Sequence, residues 1–424
     1  MDNNRTRLFS RDYILVMMAA VGTSFVIYFF LSTLPLFAET LTGSIAFAGF
    51  LSLSTSITAL VTRPVFGMLS DKYGRVAILV AGAAISAVAC VLFSFTTSLV
   101  VYSLTAGLVM LVAIRVIHGI GFSMNQTSAG AAIPDIVPKE RLAEGVGIFG
   151  IIWTMGQAGG PLIALTIVGN GELSRFNILF FLSAGLCAFS TIAGCMIKYE
   201  RGAKHKEKEV PKQPEVKEES STPEVKTIFG FEKQLLGPAL VTILYFFSIA
   251  SILSFLTLYG RSRGFRVEHL GWFFFASAGG VLIARLMFGR IVDRRGFDIV
   301  MIPGFITLAL SLFAIPFAPS VIYVILLGFP YGLATGAIGP PVNTMMFKRT
   351  SPKRRGSASA AFNMSGDLGI TLGAPTMGLI ADYIRFDWVY WFAAALAIVG
   401  LLIYVLFVSD KRYNKKFSSP DHLT

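Results

Sequence analysis

The chain has 424 residues, of which 54% are hydrophobic and only 14% charged, and that is more apolar surface than a water-facing shell can hide. The formal net charge of +12 could suit nucleic acid, but the basic residues are scattered over short polar segments with no soluble domain to hold a duplex. Membrane topology and anionic lipid explain the charge instead. Cys90, Cys187 and Cys195 all sit in apolar stretches, which leaves neither a disulfide framework nor a zinc-ligand spacing and makes packing their simplest role.

A bilayer core about 30 Å thick needs roughly 20 apolar residues per helix, and the chain meets that length repeatedly. After a short N-terminal segment, 1–12, spans are predicted at 13–36, 44–66, 76–96, 102–132, 144–168 and 176–197. The first is too long for a signal h-region and has no small-residue cleavage site after it, so it is read as a retained helix. Residues 198–234 then break the pattern with 9 basic and 8 acidic residues and with Pro211, Pro214 and Pro223. Such a stretch cannot bury enough apolar surface to fold alone, and it reads as a flexible linker. Six further spans follow at 235–259, 269–291, 299–317, 320–346, 357–381 and 387–408, and a polar tail, 409–424, ends the chain. The runs are continuous rather than alternating, unlike a membrane barrel. The expected fold is all-α and integral to the membrane: twelve transmembrane helices in two six-helix bundles, 13–197 and 235–408.

Lys and Arg set the orientation. Of 36, 28 fall on the side of the termini and linker, whereas the opposite loops hold 5: Arg175, Arg261, Arg263, Arg266 and Arg385. Because positive loops stay inside, both termini are expected to be cytoplasmic. The remaining three, Arg63, Arg115 and Arg285, lie within or at the ends of spans.

The halves repeat one another. Arg63, Phe66, Gly67, Asp71, Lys72 and Gly74 match Arg285, Phe288, Gly289, Asp293, Arg294 and Gly296 at a constant offset of 222, and Gly49 matches Gly271 likewise. Pro138, Lys139, Arg141 and Pro161 match Pro352, Lys353, Arg355 and Pro375 at an offset of 214. Two parallel repeats with a site between them are the layout of a transporter that rocks one half against the other.

Gly67-Met68-Leu69-Ser70-Asp71-Lys72-Tyr73-Gly74-Arg75, after the second span, resembles the signature of the major facilitator superfamily. A second marker of that family appears as Arg115-Val116-Ile117-His118-Gly119-Ile120-Gly121, with His118 where glutamine is usual. A third, typical of the family's antiporters, appears as Gly156-Gln157-Ala158-Gly159-Gly160-Pro161, followed by Ala164 where that motif has glycine. The resemblance covers about 13 to 408. It implies alternating access around a central cavity lined by spans 1, 4, 7 and 10.

The residues support these motifs on physical grounds. Gly74 suits a tight turn, and Asp71 can sit against the positive N-terminal end of a neighbouring helix while Lys72 and Arg75 pair with acids or lipid. The expected gating set is Gly67, Asp71, Lys72, Gly74, Arg75, Asp293 and Arg294, with Asp71 beside the start of the eleventh span and Asp293 beside that of the fifth. Lys72 and Arg75 as simple topology markers are the competing reading. Arg115 is the costliest residue, since a guanidinium at mid-membrane needs a cavity or a partner. Arg115, His118, Phe122, Asn125 and Ala129 share a helical face, which predicts one polar wall of the cavity; His118 could also be a neutral packing group. The second half has Gly328 in place of Arg115.

Among the acids only Asp367 lies deep within a span, with Asn363 one turn earlier. Burial there favours the neutral carboxyl unless a cation holds it ionised. Asp367 is therefore the proton-carrier candidate, with Arg115 and His118 as modulators, against a permanent pairing inside the second half. Substrate contacts are expected from Arg115, His118, Asn125, Tyr28, Tyr245, Tyr331, Gln157 and Asn363. Gly156, Gly160, Pro161, Gly373 and Pro375 are expected to serve helix packing.

No nucleophile with a base, no cofactor motif and no metal cluster is apparent, which excludes a membrane enzyme. The reading is a proton-coupled exporter of small amphipathic or anionic molecules, such as drugs or a secreted siderophore, in a bacterial cell membrane. Its expected partners are substrate, protons and lipid, and a monomer is expected. The alternative is an importer of a small organic anion or nutrient.

Overall fold

The computed structural model describes residues 8–138, 141–200, 227–228, 231–350 and 355–409. Most of the expected linker and both terminal segments lie outside the described residues.

The first half contains α1 (Arg11–Thr42), α2 (Ile45–Tyr73), α3 (Arg75–Tyr102), α4 (Leu104–Ile136), α5 (Leu142–Val168) and α6 (Leu173–Cys195). The second contains α7 (Leu236–Ser262), α8 (Val267–Arg295), α9 (Asp298–Ala314), α10 (Val321–Lys348), α11 (Arg355–Tyr383) and α12 (Phe386–Ile403). A two-residue antiparallel pair, Thr227–Ile228 with Phe231–Glu232, precedes α7. Among the described residues, eleven helices are long and apolar enough to cross a membrane. The remaining one, α11, carries Ser359, Asn363, Ser365 and Asp367 along its first half, the composition of a helix that turns a polar stripe to protein rather than lipid.

Local chemistry sets the helix boundaries. Ser10, Ser44 and Ser103 each accept a hydrogen bond from a backbone amide three residues on, at 3.2, 3.2 and 3.3 Å, and so cap α1, α2 and α4. At Gly74 the chain passes from α2 to α3 with φ of 104°, and at Gly296 from α8 to α9 with φ of 84°. Residues with a Cβ avoid that region, so the repeated glycine follows from the repeated turn. Prolines inside α1, α2, α4, α5, α10 and α11 are tolerated because neighbouring helices shelter the freed carbonyls.

Packing preserves the duplication. Gly160 and Gly156 press α5 on α1 at Tyr28 and Ser24, and Gly373 presses α11 on α7, where a Cβ would lie 2.7 Å from that of Ala250. Gly328 and Gly332 bring α10 against the carbonyls of Phe273 and Ser277 on α8. Cys90 and Cys187 are buried as packing residues, whereas Cys195 is exposed.

The halves meet along α2 with α11 and α5 with α8. On the side away from the linker they are tightly joined. A Cβ on Gly49 would lie 2.6 Å from the Ala374 carbonyl oxygen, and one on Gly271 would lie 2.7 Å from Leu162 Cα. There Arg261 Nη1 donates to Glu39 Oε2 at 2.8 Å. The Asp382 carboxylate accepts from the amides of Ile45 and Ala46 at 3.1 and 2.7 Å, capping α2 from the opposite half. Gly67 and Gly289, on the linker-side portions of α2 and α8, face open space instead. The halves therefore close on the far side and part toward the linker side.

Candidate functional site

Arg63, on α2, crosses to the second half at mid-depth. Its Nε lies 2.8 Å from Asp367 Oδ2 on α11, and its Nη2 donates to Asp367 Oδ1 at 3.2 Å and to Gln126 Oε1 on α4 at 2.6 Å. The two side chains are 16% and 15% exposed, so the pair is largely desolvated and its charges need one another. Asp367 thus has its cation from the opposite half. The modulator expected from sequence was different, and the reason is geometric: Arg115 is turned away from the space between the halves.

Arg115 is 1% exposed and His118 2%. They sit inside the first bundle, where the Arg115 guanidinium lies 5.7 Å from the Phe30 ring centre and 3.5 Å from His118 Nδ1. His118 also meets the rings of Phe30 and Phe93. Arg115 Nε has no hydrogen-bond partner, and among the described residues no carboxylate is paired with the guanidinium. Asn125 accepts from Thr23 Oγ1 at 2.8 Å and donates to the Leu79 carbonyl at 3.2 Å, tying α4 to α1 and α3. The five residues expected on one face do share it, but that face is buried within the bundle and is not a cavity wall. Helical periodicity identifies a face without identifying what it faces.

Holding an unpaired guanidinium among aromatic rings costs several kcal/mol, which sets up a test of function against stability. Arg115→Met, which fills similar space without charge, should insert normally and melt no lower than the native protein. Its transport should fall by about tenfold or more, because a charge kept at that cost inside a moving bundle is expected to serve the cycle rather than packing. Native transport rates in the Met variant would make Arg115 a purely structural residue.

The aromatic candidates divide. Tyr28 on α1 is half-buried, and with Tyr245 on α7 it lies within electrostatic reach of Arg285 on α8. The Tyr245 hydroxyl donates to the Thr335 carbonyl at 3.3 Å. Tyr331 is 2% exposed and packs on Phe273 at 5.4 Å, inside the second bundle. Gln157 is half-buried on α5. Asn363 is exposed and donates to the Ser359 carbonyl of its own helix at 2.9 Å. Trp153 on α5 meets Phe122 edge-on at 6.1 Å.

The signature loop is built from more residues than its motif. Arg75 Nη1 pairs with Asp135 Oδ2 at 2.6 Å and also donates to the Ala131 carbonyl. The Glu200 carboxylate accepts from the Arg75 amide and, at 3.2 Å, from the Val76 amide, and so caps α3. Lys72 is exposed beside Tyr73, Arg294 is exposed, and Asp71 is 73% exposed with Arg75 Nη2 3.8 Å away. The residues before α11 and the side chain of Asp293, which the expected latches require, lie outside the described residues. Neither Glu200 nor Asp135 belongs to a repeat or a span centre, so periodicity gave no cue to them. Arg63 and Arg285 could have been found, since a repeated arginine inside a span has a cost that demands a partner.

The sequence profile of the Major Facilitator Superfamily matches residues 16–297 and 238–423. The chain belongs to that superfamily and is a membrane transporter rather than an enzyme. It is 26% identical over 399 residues to the staphylopine export protein of Staphylococcus aureus, spanning 93% of this chain and 94% of that protein. It is 29% identical over 369 residues to the multi-drug resistance efflux pump PmrA of Streptococcus pneumoniae, spanning 81% and 84%. The crystal structure of a D-xylose-proton symporter shares the fold at a TM-score of 0.73 and 15% identity, covering 94% of this chain and 98% of that one.

Proposed function

We propose that this protein is a proton-coupled exporter of small amphipathic or anionic molecules, working by alternating access in a bacterial cell membrane with both termini cytoplasmic. The observation that carries the reading is the Arg63–Asp367 pair, a carboxylate deep in a span held by a cation from the opposite half. A proton arriving at Asp367 removes its charge and so weakens the contact between halves at the level where they begin to part. Proton loading and the rocking motion are thereby coupled through one bond. The excess of Lys and Arg on the linker side supports a cytoplasmic position for that side, and with that orientation the arrangement here opens inward, ready to collect a cytoplasmic substrate. Export also accords with the relatives named for staphylopine and multi-drug efflux. Asp71, Lys72, Gly74, Arg75, Asp293 and Arg294 serve as linker-side gating elements, and the protein works as a monomer.

The test uses purified protein in liposomes carrying an internal pH dye. Drugs, metallophores and organic anions, added singly, should drive proton movement opposite to substrate. Proton movement in the same direction as substrate would identify an importer, and substrate flux with no pH response would end the coupling proposal.

A further inference from the structure

The duplication places a second arginine where no acid waits for it. Arg63 and Arg285 occupy matching positions on α2 and α8, at the offset of 222, and each reaches across to the opposite half. Arg63 finds Asp367. Among the described residues Arg285 finds only the Gly150 carbonyl of α5, with Nη1 at 3.3 Å. At the offset of 214 that relates α5 to α11, the counterpart of Asp367 is Trp153. The acid is missing from the sequence itself, and among the described residues no other carboxylate pairs with Arg285.

A guanidinium at this depth is tolerated where it opens on a water-filled cavity or meets a partner, and such a residue marks a substrate or ion path. One carbonyl meets one of five donors and none of the charge. Arg285 is exposed, with Tyr28 of α1 and Tyr245 of α7 within its electrostatic reach and its Nη1 on α5 of the opposite half, so the group borders the space between the halves. The Tyr245 hydroxyl is engaged with the Thr335 carbonyl, whereas among the described residues that of Tyr28 is bonded to no protein group. The result is a planar fork with a hydroxyl and two aromatic side chains within its electrostatic reach, which suits a carboxylate borne on an apolar or aromatic body.

We infer that Arg285 is the docking point for a carboxylate of the transported molecule. The inference rests on the transporter reading above and narrows its substrate class to organic carboxylates. In this arrangement the duplicated arginines divide the work: one is neutralised by the protein's own acid, the other by the acid of the cargo.

The probes are matched pairs, 1-naphthoate with 1-naphthamide and indole-3-acetate with indole-3-acetamide, titrated into purified full-length protein and followed by thermal shift. At least one carboxylate should bind the native protein about tenfold or more tighter than its amide, the scale of a charge-assisted fork. Arg285→Gln should erase that preference, and Arg285→Lys should keep only part of it, as charge without the fork. Trp153→Asp leaves Arg285 in place but supplies the missing internal acid, and should also erase the preference. Equal binding of acid and amide by the native protein, or a preference that survives Arg285→Gln in a monodisperse preparation, overturns the inference. A preference that survives Trp153→Asp overturns the symmetry argument behind it. Failure of the export reading looks different: native vesicles would bind the carboxylate selectively yet move neither it nor the lipophilic cation ethidium.

Discussion

Asp367→Asn should abolish uphill transport while leaving exchange of labelled for unlabelled substrate in place. A one-for-one exchanger driven by a pH difference of one unit can concentrate substrate about tenfold, because about 1.4 kcal/mol corresponds to a factor of ten. In the asparagine variant that ratio should fall to about one. The amide mimics the protonated carboxyl, so Arg63 keeps Gln126, with Oε1 at 2.6 Å, and loses its charged partner permanently. Locking a site in one protonation state stops the load and release that coupling requires without removing the path for substrate. The comparison variant is Arg63→Gln, which strands Asp367 without a cation and should slow exchange as well. Vesicles of Asp367→Asn that still accumulate substrate to the native level would move the coupling site elsewhere.

Gly49→Val should cost about tenfold or more in transport, since the tight packing of α2 on α11 leaves no room for a side chain. A Cβ there meets the Ala374 carbonyl oxygen at 2.6 Å and Pro375 Cα at 3.1 Å, both backbone atoms that cannot turn aside. Within a rigid core that strain would lower stability. Here it falls between two bodies that must separate in the transport cycle, so the substitution should act as a wedge that holds the far side open. A cysteine placed at Ser44 in this background should react faster with an impermeant maleimide from the far side than in the native protein. Gly271→Val, its repeat partner against Leu162, should behave alike. Native transport with unchanged labelling in both variants would show that far-side closure does not depend on these contacts.

The properties legible in the chain before folding are those that one helix or one loop decides. The apolar runs predicted twelve helices, eleven of which are long and apolar enough among the described residues to cross a membrane, and helices rather than open strands because a lipid-spanning backbone must satisfy its own hydrogen bonds. The constant offsets required two like halves, and the signature loop carried the superfamily. Gly74 and Gly296 were legible as turns because a positive φ restricts residue choice at a single position. The structure alone decided which side of each helix meets which neighbour. Arg115, His118 and Asn125 share a face, but only the packing of α4 against α1 and α3 turns that face into the first bundle. Asp367 was recognisable as a buried acid from its place in a span, yet its partner lies 304 residues earlier, and no local pattern pairs them. Arg285 stood in the repeat from the start; its meaning required seeing that its mate is neutralised across the interface and that it is not. Charge burial is a property of three-dimensional surroundings, so sequence can show that a charge is costly while only the fold shows what compensates it.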